Sequence, residues 1–247
     1  MAGHSHSANI ARRKGAVDAK RGKAFSKLSR AIISAARQGG PDIEANLKLK
    51  YAVDKAKAAN MPKDNIERAI ARATGSKDGE GFEEILYEGY APGGVALLIQ
   101  VLTDNRNRTA PDIRFLFDRG GGSLGAPGSV AYMFELRSVF AVERGERDED
   151  ALTELALDSG CDDVEVADEV AVFTAAATEF TGVRAALEGA GLTFLSAELA
   201  QVPGTRVPVA SAEDARRVLK LIESLEDNDD VQSVYANYDI PDEWLEA

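Results

Sequence analysis

Lys23, Lys27, Arg30 and Arg37 recur at spacings of 4, 3 and 7 residues, which stacks their charged heads along one side of an α-helix. Arg12, Arg13, Lys14, Lys20 and Arg21 precede them. Ammonium and guanidinium groups in such a row can neutralise successive phosphates and release condensed counterions. Binding of that kind weakens steeply with salt and depends little on base sequence. Phosphate contact is therefore expected of Arg12, Arg13, Lys14, Lys20, Arg21, Lys23, Lys27 and Arg30, with about half engaged at once because a helix shows one side to a groove. A merely solubilising basic surface is the alternative.

A second polar island, "TDNRNRTA" at 103–110, stands between an apolar run and a helical one. Asn105 and Asn107 offer paired donors and acceptors there. Arg106 and Arg108 offer forks suited to phosphate or carboxylate. The competing reading has Asp104 or Asn105 capping a helix and the arginines pairing with the protein's own acids. "YAPGGVA" supplies Tyr90, Pro92, Gly93 and Gly94, either an ordinary hairpin turn or one whose glycines let an RNA or ribosomal surface come close to the backbone.

Other motifs carry less chemistry. Gly120, Gly122 and Gly125 satisfy G-x-G-x-x-G, but they follow a helix and lead into a strand, the reverse of the order that aims a helix N-terminus at a pyrophosphate. A flexible turn is expected instead. His4 and His6 lack further ligands nearby, so no metal and no cofactor are expected. Cys161 is the single cysteine, flanked by Asp162 and Asp163 whose charges disfavour a thiolate. The runs "ERDEDALTE" and "EDNDD" read as solvated faces and helix ends more readily than as cation sites. No nucleophile and base pair stands out, so a non-enzymatic protein is expected. A carboxylate-based metal-dependent nuclease and an adaptor with an incidental basic end are the other classes weighed.

Charge sorts these motifs. Residues 1–75 hold 16 Lys/Arg against 6 Asp/Glu, whereas residues 76–247 hold 13 against 35, in a chain of net charge −12. A positive head on a negative body points to a polyanion as the head's partner, with the body repelled by the same target. The apolar runs are shorter than about ten residues, well below the ~20 that span a bilayer, and the opening residues lack a signal core. The chain is expected to be cytoplasmic, without a membrane partner, and a monomer or weak oligomer.

The elements that must position these residues follow from periodicity. Phe25, Leu28, Ile32 and Ala35 form the apolar stripe of one helix ended by Gly39 and Gly40. Further helices are expected from about 43 to 59 and from Pro62 to Gly75. After the charged, glycine-bearing connector "SKDGEGFEE" the pattern turns strand-like. Two strands surround the Pro-Gly-Gly turn, a helix covers "RTAPDIRFLF", and "GSVAYMFE" is read as a strand. Strand 139–142, helix 148–158, strands near 164–166 and 170–174, helix 179–190 and strand 192–200 then spell βαββαβ, the ferredoxin-like order. A last helix, 212–225, and the strand "VQSVYANY" are left to complete the ββαβ segment of 85–135.

The blocks "MAGHS", "DAKRGKAFSKL", "KAKAANMPKDNIERAI", "YEGYAPGGVALLI", "TDNRNRTAPDIRFLF" and "GGSLGAPGSVAYMF" resemble the YebC/PmpR family over nearly the whole chain. The resemblance implies an N-terminal helical domain and two α+β domains, one inserted in the other. It also implies a role in gene expression, as regulators of transcription in most members and in ribosome-associated translation in some, including a mitochondrial translational activator. Where the family has Lys and Trp after "GHS" and a Lys-His pair before "RK", this chain has His6, Ser7, Ala11 and Arg12. The loss of that Trp puts base stacking by the tip in doubt.

The expected architecture is thus an α+β multidomain protein: a basic three-helix bundle over 1–75, a discontinuous α+β domain of 76–135 with 204–247, and an inserted ferredoxin-like domain over 136–203. The expected function is binding of nucleic acid, DNA or RNA, in the regulation of gene expression. The ribosome is the alternative partner.

Overall fold

A computed structural model of the chain describes residues 21–75, 81–167 and 169–244. The fold is α+β and divides into two compact units, one of residues 19–131 with 210–236 and one of 132–209 with 237–247, within the described residues.

Three helices open the first unit: α1 Arg21–Gly39, α2 Leu47–Ala58 and α3 Lys63–Gly75. Their apolar stripes meet in one core, where Ile32, Ala35, Leu49, Val53, Ala56, Ile66 and Ala69 are buried and Phe25, Leu28 and Phe82 pack at its margin. Asn46 joins the first two helices. Its Oδ1 caps α2 by accepting from Leu49 N at 3.1 Å, and its Nδ2 donates to Ala35 O and Gly40 O, each at 2.8 Å. That bond set leaves no space at Gly39, where a Cβ would come within 2.6 Å of the Asn46 amide. The cap also explains why α2 starts at Leu47 rather than 43: residues 43–45 form the turn that delivers Asn46.

The same unit contains a four-stranded sheet in the order β3-β1-β2-β9, formed by β1 Glu83–Tyr90, β2 Ala96–Thr103, β3 Ser123–Leu124 and β9 Val231–Ala236. All its pairings are antiparallel. Helix α4, Arg106–Arg119, follows β2, and a later helix at Ala212–Glu226 precedes β9. Every β2 residue except Gln100 is buried, as a central strand between two neighbours requires. Of the strand expected over 128–135, residues 128–133 are instead a loop and a short 3-10 turn. Its amides at Gly128, Val130 and Ala131 are taken by the Glu88 carboxylate, so they cannot join a ladder. The two-residue β3 fills that edge.

The second unit is built on β4 Phe134–Glu143, α5 Glu149–Asp158, β5 Asp163–Val166, β6 Val170–Ala176, α6 Phe180–Gly189 and β7 Phe194–Pro203. Strand order is β5-β6-β4-β7, a ferredoxin-like βαββαβ arrangement. Phe140 is fully buried, with ring centroids 5.1 Å from Phe180 and 6.0 Å from Phe194. Strand β4 absorbs both the end of "GSVAYMFE" and the expected 139–142 strand. A small parallel pair, β8 Val207–Pro208 with β10 Tyr238–Asp239, takes the end of the last expected strand away from β9. The helix Ala212–Glu226 is hereafter α7.

Candidate functional site

The apolar stripe of α1 faces the bundle, and its cations point to the other side. Lys27 Nζ donates to Glu226 O at 2.5 Å, and Lys23 Nζ lies 3.5 Å from Asp227 O. Both oxygens belong to the C-terminal end of α7, where carbonyls lack helical partners and the helix dipole is negative. Burial lowers the Lys27 pKa despite the neighbouring charges of Glu226, Asp229 and Asp227. Arg30 Nη1 donates to Asp229 O at 2.9 Å and to Asp230 Oδ1 at 2.7 Å. The expected free cationic row is thus interrupted at Lys27 and Arg30. The acidic run "EDNDD" lies against α1 rather than away from it, because opposite charges within one compact unit attract at contact distance.

Asp230 organises this region. Its side chain is 5% exposed and accepts from Arg30, from Arg108 Nη2 at 2.9 and 3.2 Å, from Thr109 Oγ1 at 2.7 Å and from Thr103 Oγ1 at 3.3 Å. Burial pushes its pKa up, but the Thr109 and Arg108 hydrogen bonds and the Arg108 and Arg30 charges outweigh that and hold it below the usual carboxylate value. The same bonds raise the Arg108 pKa. A carboxylate saturated in this way neither gives nor takes a proton near neutrality. It is a structural anchor.

The island 103–110 is therefore divided. Asn105 caps α4, accepting from Arg108 N at 3.1 Å, and its own N–H donates to Thr103 Oγ1 at 2.9 Å. Arg108 is committed to Asp230 and to Asp104, the latter at 2.8 Å. Arg106 is exposed and 3.5 Å from Glu83, and Asn107 is exposed. Asn105 and Arg108 fit the capping and pairing alternative, and so does Arg106 through Glu83; Asn107 is presented to solvent.

Tyr90 donates its hydroxyl to Ser129 O at 3.0 Å. Pro92 begins a tight turn in which Gly93 and Gly94 are exposed with φ of 79° and 78°, a conformation that favours glycine. Gly120 and Gly122 form a close-packed corner rather than a flexible one. A Cβ at Gly122 would lie 2.6 Å from Tyr90 O, and one at Gly120 would lie 2.7 Å from the Leu221 side chain. Arg12, Arg13, Lys14 and Lys20 lie outside the described residues, as do His4, His6 and the Arg21 side chain.

Sequence reasoning missed two buried carboxylates. Asp230 was legible only as part of an acidic run, with the basic helix as the unused clue. Glu88, 5% exposed, accepts from Gly128 N at 2.6 Å, Val130 N at 2.7 Å and Ala131 N at 2.8 Å. Burial raises its pKa, yet these three bonds bring it below the usual value. Among the described residues no group of His, Cys, Asp and Glu is placed to hold a metal ion, and no helix is long and apolar enough to cross a membrane.

A helical N-terminal part followed by two antiparallel α+β parts, one interrupting the other in sequence, defines a class of multidomain α+β proteins. The chain belongs to the TACO1/YebC family: residues 5–76 match its N-terminal domain and residues 82–238 its second and third domains. A relative from Pelotomaculum thermopropionicum is 51% identical over 244 residues, covering 98% of this chain and 100% of that one. Another from Rubrobacter xylanophilus is 54% identical over 246 residues, covering 99% and 98%. Both carry the name "probable transcriptional regulatory protein". The crystal structure of a conserved hypothetical protein from Aquifex aeolicus superposes with a TM-score of 0.83 at 46% identity, covering 92% of this chain and 94% of that one.

Proposed function

We propose that the protein is a non-enzymatic regulator of gene expression that binds nucleic acid through phosphate contacts made by its N-terminal part. The observation that carries this reading is the charge split: 16 Lys/Arg against 6 Asp/Glu in residues 1–75 of a chain whose net charge is −12. The names of the relatives support a role in transcription. The engagement of Lys27, Arg30 and Arg108 within the protein transfers the expected phosphate contacts to the remaining cations: Arg12, Arg13, Lys14, Lys20, Arg21 and Lys23, with Arg106 and Asn107 as an outlying pair. Several other bundle cations form exposed pairs, such as Lys50 with Glu44 at 2.9 Å and Lys63 with Glu67 at 3.5 Å. Such pairs contribute about 0–1 kcal/mol and exchange readily for phosphate.

Titration of the full chain with duplex DNA and with a structured RNA across a salt series tests the reading. The logarithm of the association constant should fall linearly with the logarithm of salt concentration. Replacing Arg12, Arg13 and Lys14 together by Gln should flatten that slope. Preference for DNA supports action on transcription. Preference for RNA, with salt-sensitive co-sedimentation with ribosomes, supports action on translation. Absence of binding to both nucleic acids would remove the proposal.

A further inference from the structure

Helix α4 carries an aromatic side chain that the fold does not use. Phe115 is 61% exposed, whereas Ile113 and Phe117 of the same helix are fully buried. It makes no ring contact among the described residues. At helical spacing Phe115 and Arg119 are i,i+4 neighbours on one face, and Arg114 lies about 100° round the helix from the ring, on its other side. Arg114 and Arg119 are both exposed, and unlike Arg108 at the start of the helix they make no ion pair or side-chain hydrogen bond among the described residues. Asp112 and Asp118 are also exposed on α4, so the helix itself offers guanidinium groups beside carboxylates rather than a purely positive face.

The neighbouring helix carries further cations. α4 packs on α7 through Gly120, where a Cβ would fall 2.7 Å from the Leu221 side chain, and Arg217 of α7 reaches within 3.9 Å of the position a Cβ would take at Gly121. Arg216, Arg217 and Lys220 are exposed; of these, only Arg217 forms an ion pair among the described residues, with Asp214 at 3.7 Å. The acids that follow them, Glu226 to Asp230, are those turned toward α1. An exposed ring beside free guanidinium groups suits a flat, π-faced ligand that carries negative charge next to its ring. A nucleotide in a single strand has that chemistry; a base in a duplex keeps both faces stacked within the helix.

We propose that Phe115 is a stacking platform for an unpaired base of single-stranded RNA, with Arg114 and Arg119 binding the flanking phosphates. Sequence-specific recognition of RNA targets single-stranded segments, whose splayed bases stack on aromatic side chains. The site rests on the nucleic-acid-binding reading above and gives it a contact that is not purely electrostatic, in a chain that lacks the Trp near its N-terminus.

The test uses the full-length protein and a fluorescein-labelled mixed-sequence single-stranded RNA of about 12 nucleotides. Phe115→Ala should weaken binding about 5- to 160-fold, the range that corresponds to loss of one stacked base, and leave the salt slope unchanged. Phe115→Tyr should restore affinity. Arg114→Gln with Arg119→Gln should reduce the salt slope instead. In an RNA carrying 2-aminopurine, quenching on binding should vanish with Phe115→Ala and return with Phe115→Tyr. Equal affinity of Phe115→Ala and wild type overturns the site while leaving the broader reading intact. So does binding of duplex but not of single-stranded RNA. Failure to bind any nucleic acid overturns both. Loss of self-association in the Phe115→Ala variant, with RNA affinity unchanged, would assign the ring to a second copy of the chain and overturn the proposal.

Discussion

Arg30 Nη1 and Asp230 Oδ1 lie 2.7 Å apart although 200 residues separate them in sequence. The pair links the first helix to the loop that enters β9, and Arg108 and Thr109 complete the carboxylate's shell from α4. Three segments remote in sequence therefore depend on one buried anion. Cations that look alike in the sequence consequently have different physical roles: Lys23 is exposed at the end of a 3.5 Å contact, whereas Arg30 offsets a desolvated charge.

Asp230→Ala should accordingly destabilise the protein by about 3–5 kcal/mol, because it leaves guanidinium and hydroxyl groups without their acceptor. Arg30→Ala should cost less, about 1.5–3 kcal/mol, since Arg108 and Thr109 still satisfy the carboxylate. Lys23→Ala should stay within about 0.5 kcal/mol of wild type. Urea unfolding of the three variants checks the order, and the Arg30→Ala/Asp230→Ala double mutant should be less destabilised than the sum of the singles. The Asp230 pKa is depressed in the folded state. Its contribution is therefore present above the unfolded carboxylate value of about 3.9 and is lost as pH falls through the lower folded value. Asp230→Asn should show a shallower loss of stability on acidification over that window.

Glu88 gives a second prediction. Its carboxylate is the shared acceptor for the amides of Gly128, Val130 and Ala131, and Gly125 N donates to the Glu88 carbonyl at 2.7 Å. Glu88→Ala should release this loop first, raising amide exchange at Gly128, Val130 and Ala131 ahead of the sheet, and should cost roughly 2–4 kcal/mol overall. Glu88→Gln retains one acceptor oxygen and should fall between the two. If exchange at these amides is the same in Glu88→Ala and wild type, the carboxylate does not hold the loop.

Legibility in the sequence followed the range of the forces involved. The βαββαβ order of the second unit could be read because each element repeats its apolar residues at the local period, from Phe140 and Val142 on β4 to Val183 and Leu187 on α6. The strand expected over 128–135 failed in its first six residues for a non-local reason: its alternation is compatible with pairing, but Glu88, about 40 residues earlier, takes the hydrogen bonds. The basic row on α1 was legible as a helix face. The engagement of Lys27 and Arg30 was not, because their partners come from the other end of the chain. The alternatives for Asn105 and Arg108 could be named from local rules of capping and pairing, whereas the choice between them required Asp230 in space.

Cys161 supplies a test of the second unit that needs no substitution. The thiol follows α5, its N–H donates to Ala156 O at 2.9 Å, and the residue is 8% exposed. Burial, reinforced by the Asp162 charge, pushes its pKa up to about 11. At pH 8 only about one thiol in a thousand would then be ionised, against about a quarter for an unperturbed cysteine. Ellman's reagent should therefore react with the native protein far more slowly than with a small free thiol. The rate should rise sharply once urea unfolds the second unit. Raising the pH toward 10 should accelerate the native reaction, because the thiolate fraction grows about tenfold per unit below the pKa. Native-state labelling at the speed of a free thiol would mean that the junction between α5 and β5 opens without unfolding of the sheet beside it.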